Sequence, residues 1–376
     1  VKASLERGKT VPQSTAAPAL SIVSAVEVVD PLTVKIVLSR PRPFFEAVLA
    51  GNAGALISPK ALESGADVGS GSVDAGSGPY RPVSLTPNEG AVYSAVADYF
   101  VPERGRVATL EIQGIPDVNT GLNGLQSGQF DLAYGNVMPP ERISQLERAG
   151  FVVRTGDSLN THAVLLRISS GELADVRVRQ AMMQAIDRKL ISDTLYDGKC
   201  EPATQMFSPR TGLHVPGYDP YPYDPDAARR LLAEAGHADG IELPVVTVVG
   251  NPGSEQNAAV LQEMLGEVGI DVVLTPMTSV DGVAAFNRGD IPARSSVVTF
   301  SEDSLATIEY SYMPGGVIEL AVPDEAGLVA LYDELVSTTD TGRQQELLRD
   351  MGREVTDKVF ALPICYQTHN WAGAEN

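Results

Sequence analysis

A chain of 376 residues is longer than one hydrophobic core usually serves, so two or more lobes are expected. Its 48 Asp and Glu against 28 Lys and Arg give a net charge of −20, which argues against nucleic acid and anionic membrane surfaces as partners, since both require basic patches. The composition, 43% hydrophobic and 20% charged, is that of a globular protein, and no run of about 18 apolar residues is present to span a membrane.

In chain order, Ser24–Val29 and Thr33–Leu38 read as two strands turning at Asp30-Pro31, a hairpin. Pro41, Pro43 and the Phe44-Phe45 pair lead into a short helix through Leu49. Residues 64–78 are rich in Gly, Ser and Asp and read as a loop closed by Gly76-Ser-Gly-Pro-Tyr. Strand-like runs follow at 90–96 and 107–113, then a helix from Asp117 to Gln126, a strand at 130–134, and a helix from Pro139 to Ala149 that stops at Gly150. Phe151–Arg154 is strand-like, and His162–Ile168 is a continuous apolar run that reads as a buried strand.

Residues 172–190 read ELADVRVRQAMMQAIDRKL. Asp175 is a helix N-cap, and Val178, Ala181, Met182, Ala185, Ile186 and Leu190 form one apolar face. Arg177, Arg179, Arg188 and Lys189 lie mostly off that face. Asp224-Pro225 opens a further helix that Gly236 ends. A strand at 243–249, a helix at 254–268 and a strand from Ile270 give the order of a parallel α/β lobe. Helices fit 324–338 and 341–356, and Phe360–Tyr366 is a last strand.

No catalytic constellation is legible. The four histidines, His162, His214, His237 and His369, form no metal-ligand pair and read as surface or satisfied core groups. Ser77 lacks the first glycine of a G-x-S-x-G elbow. The 69–78 glycines fit neither a dinucleotide fingerprint nor a P-loop. Cys200 and Cys365 match no metal spacing, and whether they are joined stays open, because sequence does not give their separation. No cofactor or metal is expected, and the chain is read as a non-enzyme.

Several motifs, in order, resemble the family 5 extracellular solute-binding proteins, the oligopeptide, dipeptide and nickel receptors of ABC importers. They are Ser4 and Arg7 in the opening segment, Ile57-Ser-Pro-Lys, Gly76-Ser-Gly-Pro-Tyr, Leu125-Gln-Ser-Gly-Gln-Phe-Asp, the 175–188 signature, and Tyr223-Asp-Pro through Ala235-Gly236. The resemblance implies an α/β, two-lobed periplasmic-binding-protein-like clamshell, here with a partial first lobe and accessory subdomain. The implied parts are 1–73 (accessory subdomain), 74–157 (first lobe), 158–362 (second lobe) and 363–376 (return to the first lobe), with crossovers near 156–162 and 361–367. The chain starts later than a full family member, so exposed first-lobe edges are expected, and a missing N-terminal segment of the same protein is one candidate partner.

The implied function is capture of a short peptide or similar small solute between two lobes and delivery to a membrane permease. The implied setting is outside the cytoplasm, with lipid anchoring through a leader absent from this sequence. The rival reading is a family-derived enzyme or scaffold that has left transport. By the same resemblance, Asp303 is the candidate acid for a peptide's α-ammonium, with Glu302 its neighbour and Phe300 where relatives often carry Trp. An ordinary cap or loop acid is the competing reading for Asp303. Tyr310, Tyr312 and Met313 are candidate lining residues, with core packing the alternative, and Ser77 and Gly78 are candidates on the other wall.

Overall fold

The computed structural model describes residues 1–12, 14–115, 117–135, 140–169, 171–249, 252–301, 303–313 and 326–375. The chain divides into two compact units, Val1–Gly121 and Leu122–Asn376.

The first unit opens with α1 (Lys2–Thr10) and α2 (Ala17–Leu20), followed by the expected hairpin, β1 (Val23–Asp30) antiparallel to β2 (Thr33–Leu38). After α3 (Phe45–Ala50) and α4 (Pro59–Glu63) comes a three-stranded antiparallel sheet of β3 (Tyr80–Thr86), β4 (Gly90–Ala95) and β5 (Thr109–Gln113). Strand β3 was not anticipated because Pro82 interrupts it. The structure tolerates the proline because β3 is an edge strand, with a register shift between Pro82 and Ser84. Leu5, Leu20, Ile22, Val23, Val26 and Val48 form the core under the hairpin.

Three of the sequence motifs meet here. Ser4 Oγ donates to Ile57 O at 3.1 Å and accepts from Ile57 N at 2.9 Å, and Ser58 N donates to Ala75 O at 2.7 Å. Segments some fifty residues apart are thus tied by backbone groups that would otherwise be buried without partners.

In the second unit the elements are α5 (Val118–Gln126, at the junction), β6 (Leu132–Gly135), α6 (Pro140–Arg148), β7 (Phe151–Leu166), α7 (Val176–Ala185), α8 (Arg188–Leu195) and the short β8 (Glu201–Pro202). Then follow α9 (Pro225–Glu234), β9 (Ile241–Val248), α10 (Pro252–Gly266), β10 (Ile270–Met277), α11 (Ser279–Arg288) and β11 (Ala293–Thr299). The unit closes with α12 (Ser304–Ser311), α13 (Ala326–Ser337), α14 (Thr341–Lys358) and β12 (Ala361–Ala374). One sheet runs in the order β10-β9-β11-β7-β12-β6, with β8 paired to β12. Strands β10, β9 and β11 are mutually parallel, as the strand–helix–strand pattern requires, whereas β11, β12 and β6 meet their neighbours β7 and β12 antiparallel.

Two sequence expectations are corrected. The strands expected at 151–154 and 162–168 are one 16-residue strand, β7. The signature segment is two helices rather than one, because the chain leaves α7 at extended Ile186 and restarts under an Asp187 cap, whose carboxylate accepts from Leu190 N at 2.9 Å. That break turns Leu190 out to 49% exposure, while Val178, Ala181, Met182, Ala185 and Ile186 stay buried.

The arginines are corrected too. Arg179 and Arg188 are buried, not on a solvent face. Arg179 donates to Leu173 O at 2.6 Å, Lys358 O at 2.6 Å and Val359 O at 3.0 Å. It thereby takes up carbonyls at the end of α14 that no helical N–H can reach.

Cys200 and Cys365 are joined, with Cα atoms 5.6 Å apart, so the bridge pins the segment entering β8 to β12.

His162 lies inside the sheet opposite Val297 of β11 and Cys365 of β12, beside Tyr196 and Asn257. Burial holds its imidazole down at about 4, against 6.5 when unfolded. The native state therefore refuses a proton that the unfolded chain accepts. Stability is complete above pH 6.5 and drains away as the pH falls toward 4, by roughly 3 kcal/mol over the interval. Urea unfolding followed by Trp371 fluorescence at pH 7 and pH 4.5 should show this loss. In His162→Gln the slope with pH should flatten; an equally steep decline in that variant would move the effect to other groups.

Candidate functional site

The long pair β7/β12 organises the second unit. Its outer part, Phe151–Asp157 against Thr368–Ala374, joins β6 and packs under α5 and α6 through Leu122, Leu125, Ile143, Leu146 and Ala372. Its inner part, Thr161–Leu165 against Ala361–Tyr366, joins β11 and, through it, the parallel strands β9 and β10. Between the two parts the register breaks: Ser158, Leu159 and Asn160 stand opposite Gln367 alone. Such a bulge frees backbone groups from the ladder, and buried side chains replace those bonds. Ser158 Oγ donates to Gln367 O at 2.7 Å, Asn160 Nδ2 to Gln367 Oε1 at 3.1 Å, and Ser208 Oγ to Ser158 O at 3.0 Å.

The expected acid lies a short step away. Phe300 N donates to Leu159 O at the bulge, and the chain then reaches Asp303, which caps α12. Asp303 is only 3% exposed, and its Oδ1 accepts from Leu305 N at 3.0 Å and Ala306 N at 3.1 Å. The helix-cap role anticipated as the competing reading is therefore present. Glu302 lies outside the described residues.

Phe300 and Tyr312 are both buried in an aromatic cluster with Phe207 and Phe360, at centroid separations of 5.2 to 5.8 Å. Burial pushes the Tyr312 phenol pKa up, and its hydroxyl finds no hydrogen-bond partner among the described residues. Tyr310 is exposed and Met313 half-buried. Ser77 and Gly78 are exposed residues of the other unit, before β3.

A second group, on β6, β12 and β7, is not legible as a unit in the sequence. Tyr134 of β6, Trp371 of β12 and Arg154 of β7 form one cross-strand row, and directly opposed residues share a face. Tyr134 is 54% and Trp371 43% exposed, with ring centroids 4.2 Å apart. The Tyr134 hydroxyl lies 3.1 Å from His369 Nδ1, two residues along β12 from the tryptophan. The opposite face of the same strands is the one buried under α5 and α6. The period-two spacing of His369 and Trp371 hinted at a shared face, but their partner Tyr134 is 235 residues from His369, which no local pattern reveals.

Among the described residues no three His, Cys, Asp or Glu side chains converge as a metal cage would need, and no helix is long and apolar enough to cross a membrane.

Residues 1–308 match the family described as bacterial extracellular solute-binding proteins, family 5 Middle. The glutathione-binding protein GsiB of Salmonella choleraesuis strain SC-B67 is 29% identical over 257 residues, 68% of this chain and 49% of that protein; GsiB of Escherichia coli O157:H7 matches equally. The chain thus spans about half the length of these curated relatives.

Among solved structures, NikA from Brucella suis in complex with Fe(III)-EDTA superposes with a TM-score of 0.85 at 22% identity, covering 99% of this chain and 79% of that one. CtaP, an ABC transporter substrate-binding protein from Listeria monocytogenes, gives 0.85 at 22%, covering 99% and 77%. DppA from Helicobacter pylori in complex with the peptide STSA gives 0.77 at 18%, covering 98% and 74%. These likenesses fix the fold as that of periplasmic binding proteins. With the family match extending over most of its length, the chain belongs to the bacterial extracellular solute-binding proteins of family 5.

Proposed function

We propose that the chain is the capture component of an ABC importer: it takes a short peptide or similar small solute outside the cytoplasm, leaves it chemically unchanged, and presents it to a membrane permease. The observation that carries this reading is the bulge at Ser158–Asn160 and Gln367, where the strand pair β7/β12, which among the described residues links the two halves of the sheet, loses its ladder bonds. Two packed layers joined by a pair of strands with a broken register form a hinge, because a few residues absorb the backbone change while each layer moves as a body. A guest that touches both sides of such a hinge favours the closed form by its differential contacts. The Cys200–Cys365 bridge fits an oxidising compartment outside the cytoplasm.

Asp303, at the α12 cap beside the bulge, is the group assigned to the ammonium end of a peptide, with Tyr310 and Met313 further along the same segment. A carboxylate–ammonium contact is charge-assisted and so depends on the charge, whereas capping does not. Asparagine caps as well as aspartate. Asp303→Asn is therefore expected to fold normally, to bind peptides with a free amino terminus at least tenfold more weakly, and to bind N-acetylated peptides unchanged.

Calorimetry and thermal unfolding against di- to pentapeptides test the reading as a whole. A true ligand at one hundred times its Kd should stabilise the fold by about 2.7 kcal/mol. Absence of heat and of any shift across peptides, sugars and metal chelates would remove the basis for a capture role.

A further inference from the structure

On the reading of the chain as a solute receptor, we propose that the row Arg154–Trp371–Tyr134 is a subsite for an aromatic ring carrying a nearby free carboxylate, the form presented by a short peptide that ends in phenylalanine or tyrosine.

The chain has a single tryptophan, and it stands on an open sheet face rather than in the core. Its partner ring is held: the Tyr134 hydroxyl meets His369 Nδ1 at 3.1 Å, so the phenol is fixed before any guest arrives. Two large rings in contact, about half wet, with one orientation already set, give a flat surface on which a third ring stacks with little further ordering.

The charge beside them supplies the second half of the specificity. Arg154 stands directly across the β7/β12 pair from Trp371, is exposed, and makes no hydrogen bond or ion pair among the described residues. Its planar guanidinium fork matches a carboxylate. Neighbouring strands lie about 4.8 Å apart, so a ring resting on the indole keeps a carboxylate three bonds away within reach of the guanidinium.

Position completes the argument. Two residue pairs beyond, His369 stands opposite Gly156, and after Thr368–Asp157 comes the bulge. A guest held on this row touches the same strand pair whose register breaks a few residues further along.

Trp371 makes the test direct, because all tryptophan emission comes from the proposed subsite. The dipeptides Gly-Phe, Gly-Leu and Gly-Phe amide are titrated with fluorescence and calorimetry in parallel. Gly-Phe is expected to change Trp371 emission saturably, with a Kd at least tenfold below those of the other two. Arg154→Gln should raise the Gly-Phe Kd to that of the amide while leaving the amide unaffected, and Tyr134→Leu should bring Gly-Phe toward Gly-Leu. Equal affinity for all three dipeptides, or calorimetric binding with Trp371 emission unmoved, overturns the subsite and leaves the receptor reading standing. No heat from any di- to pentapeptide also overturns the subsite, and the same silence from sugars and metal chelates overturns the receptor reading with it.

Discussion

Replacing both cysteines, Cys200→Ala with Cys365→Ala, is expected to lower the stability of the second unit by about 4 kcal/mol. The bridge joins residues 165 apart. Closing a loop of that length removes conformational freedom from the unfolded chain, and the chain-entropy relation gives about 5 kcal/mol, within the roughly 2–5 kcal/mol usually found when native disulfides are removed. Geometry adds a local reason. Cys365 lies in β12 between two register shifts, at Pro363 and at Gln367, where the ladder to β7 is weakest. The link to the segment entering β8 holds β12 there by covalent means. Urea unfolding followed by Trp371 fluorescence measures the loss, and dithiothreitol should impose the same loss on the unaltered protein while leaving the variant unchanged. A variant within 1 kcal/mol of the parent would mean that the unfolded chain is already compact around this pair.

Much of the fold was legible from local pattern. The Asp224-Pro225 start of α9, the parallel order of β9, α10 and β10, and the hairpin β1/β2 each rest on spacing or capping that acts within a dozen residues. The ordered motifs were legible as a resemblance, but their physics was not. That Ser4 bonds Ile57, that Ser58 bonds Ala75 and that Asp224 N donates to Gln184 O at 2.9 Å could be seen only once distant segments were brought together.

The errors have the same origin. Helical spacing continued smoothly through Ile186-Asp187, and only the demand of Asp187 as a cap breaks it. Arg179 and Arg188 looked like solvent charges because their carbonyl partners, at Lys358, Val359 and Pro363, lie about 175 to 180 residues away. Of the candidate site, Asp303 is proposed by resemblance, while the Tyr134–Trp371 contact depends on β6 pairing with the last strand, which no periodicity encodes.

Arg188→Ala is expected to destabilise the second unit by roughly 3–5 kcal/mol, because it strips donors from several buried carbonyls at about 1–3 kcal/mol each. The side chain is buried behind α7, where Nε donates to Pro363 O at 2.8 Å, Nη1 to Met183 O at 3.0 Å and Ile186 O at 3.2 Å, and Nη2 meets Met183 Sδ at 3.0 Å. Burial pulls its pKa down to about 10, so it remains charged at neutral pH. Those carbonyls include the last turn of α7 and the bulged start of β12, neither of which has a full complement of ladder or helix bonds. Truncation leaves them buried without donors, and it leaves a void where the side chain packed.

Arg188→Lys separates the two contributions. It retains the charge and most of the volume, yet a single ammonium on a flexible stem cannot serve oxygens spread along two elements as a planar fork does. If geometry governs, lysine recovers less than half of the loss; if charge and volume govern, it recovers nearly all. Since Pro363 opens the segment of β12 that leads to Gln367, the same variant is expected to loosen the strand pair at its bulge. Hydrogen exchange at the amides of residues 361, 362 and 364–367 should then rise more than the global loss of stability accounts for. Uniform exchange across β12 and α14 would confine Arg188 to a general role in packing.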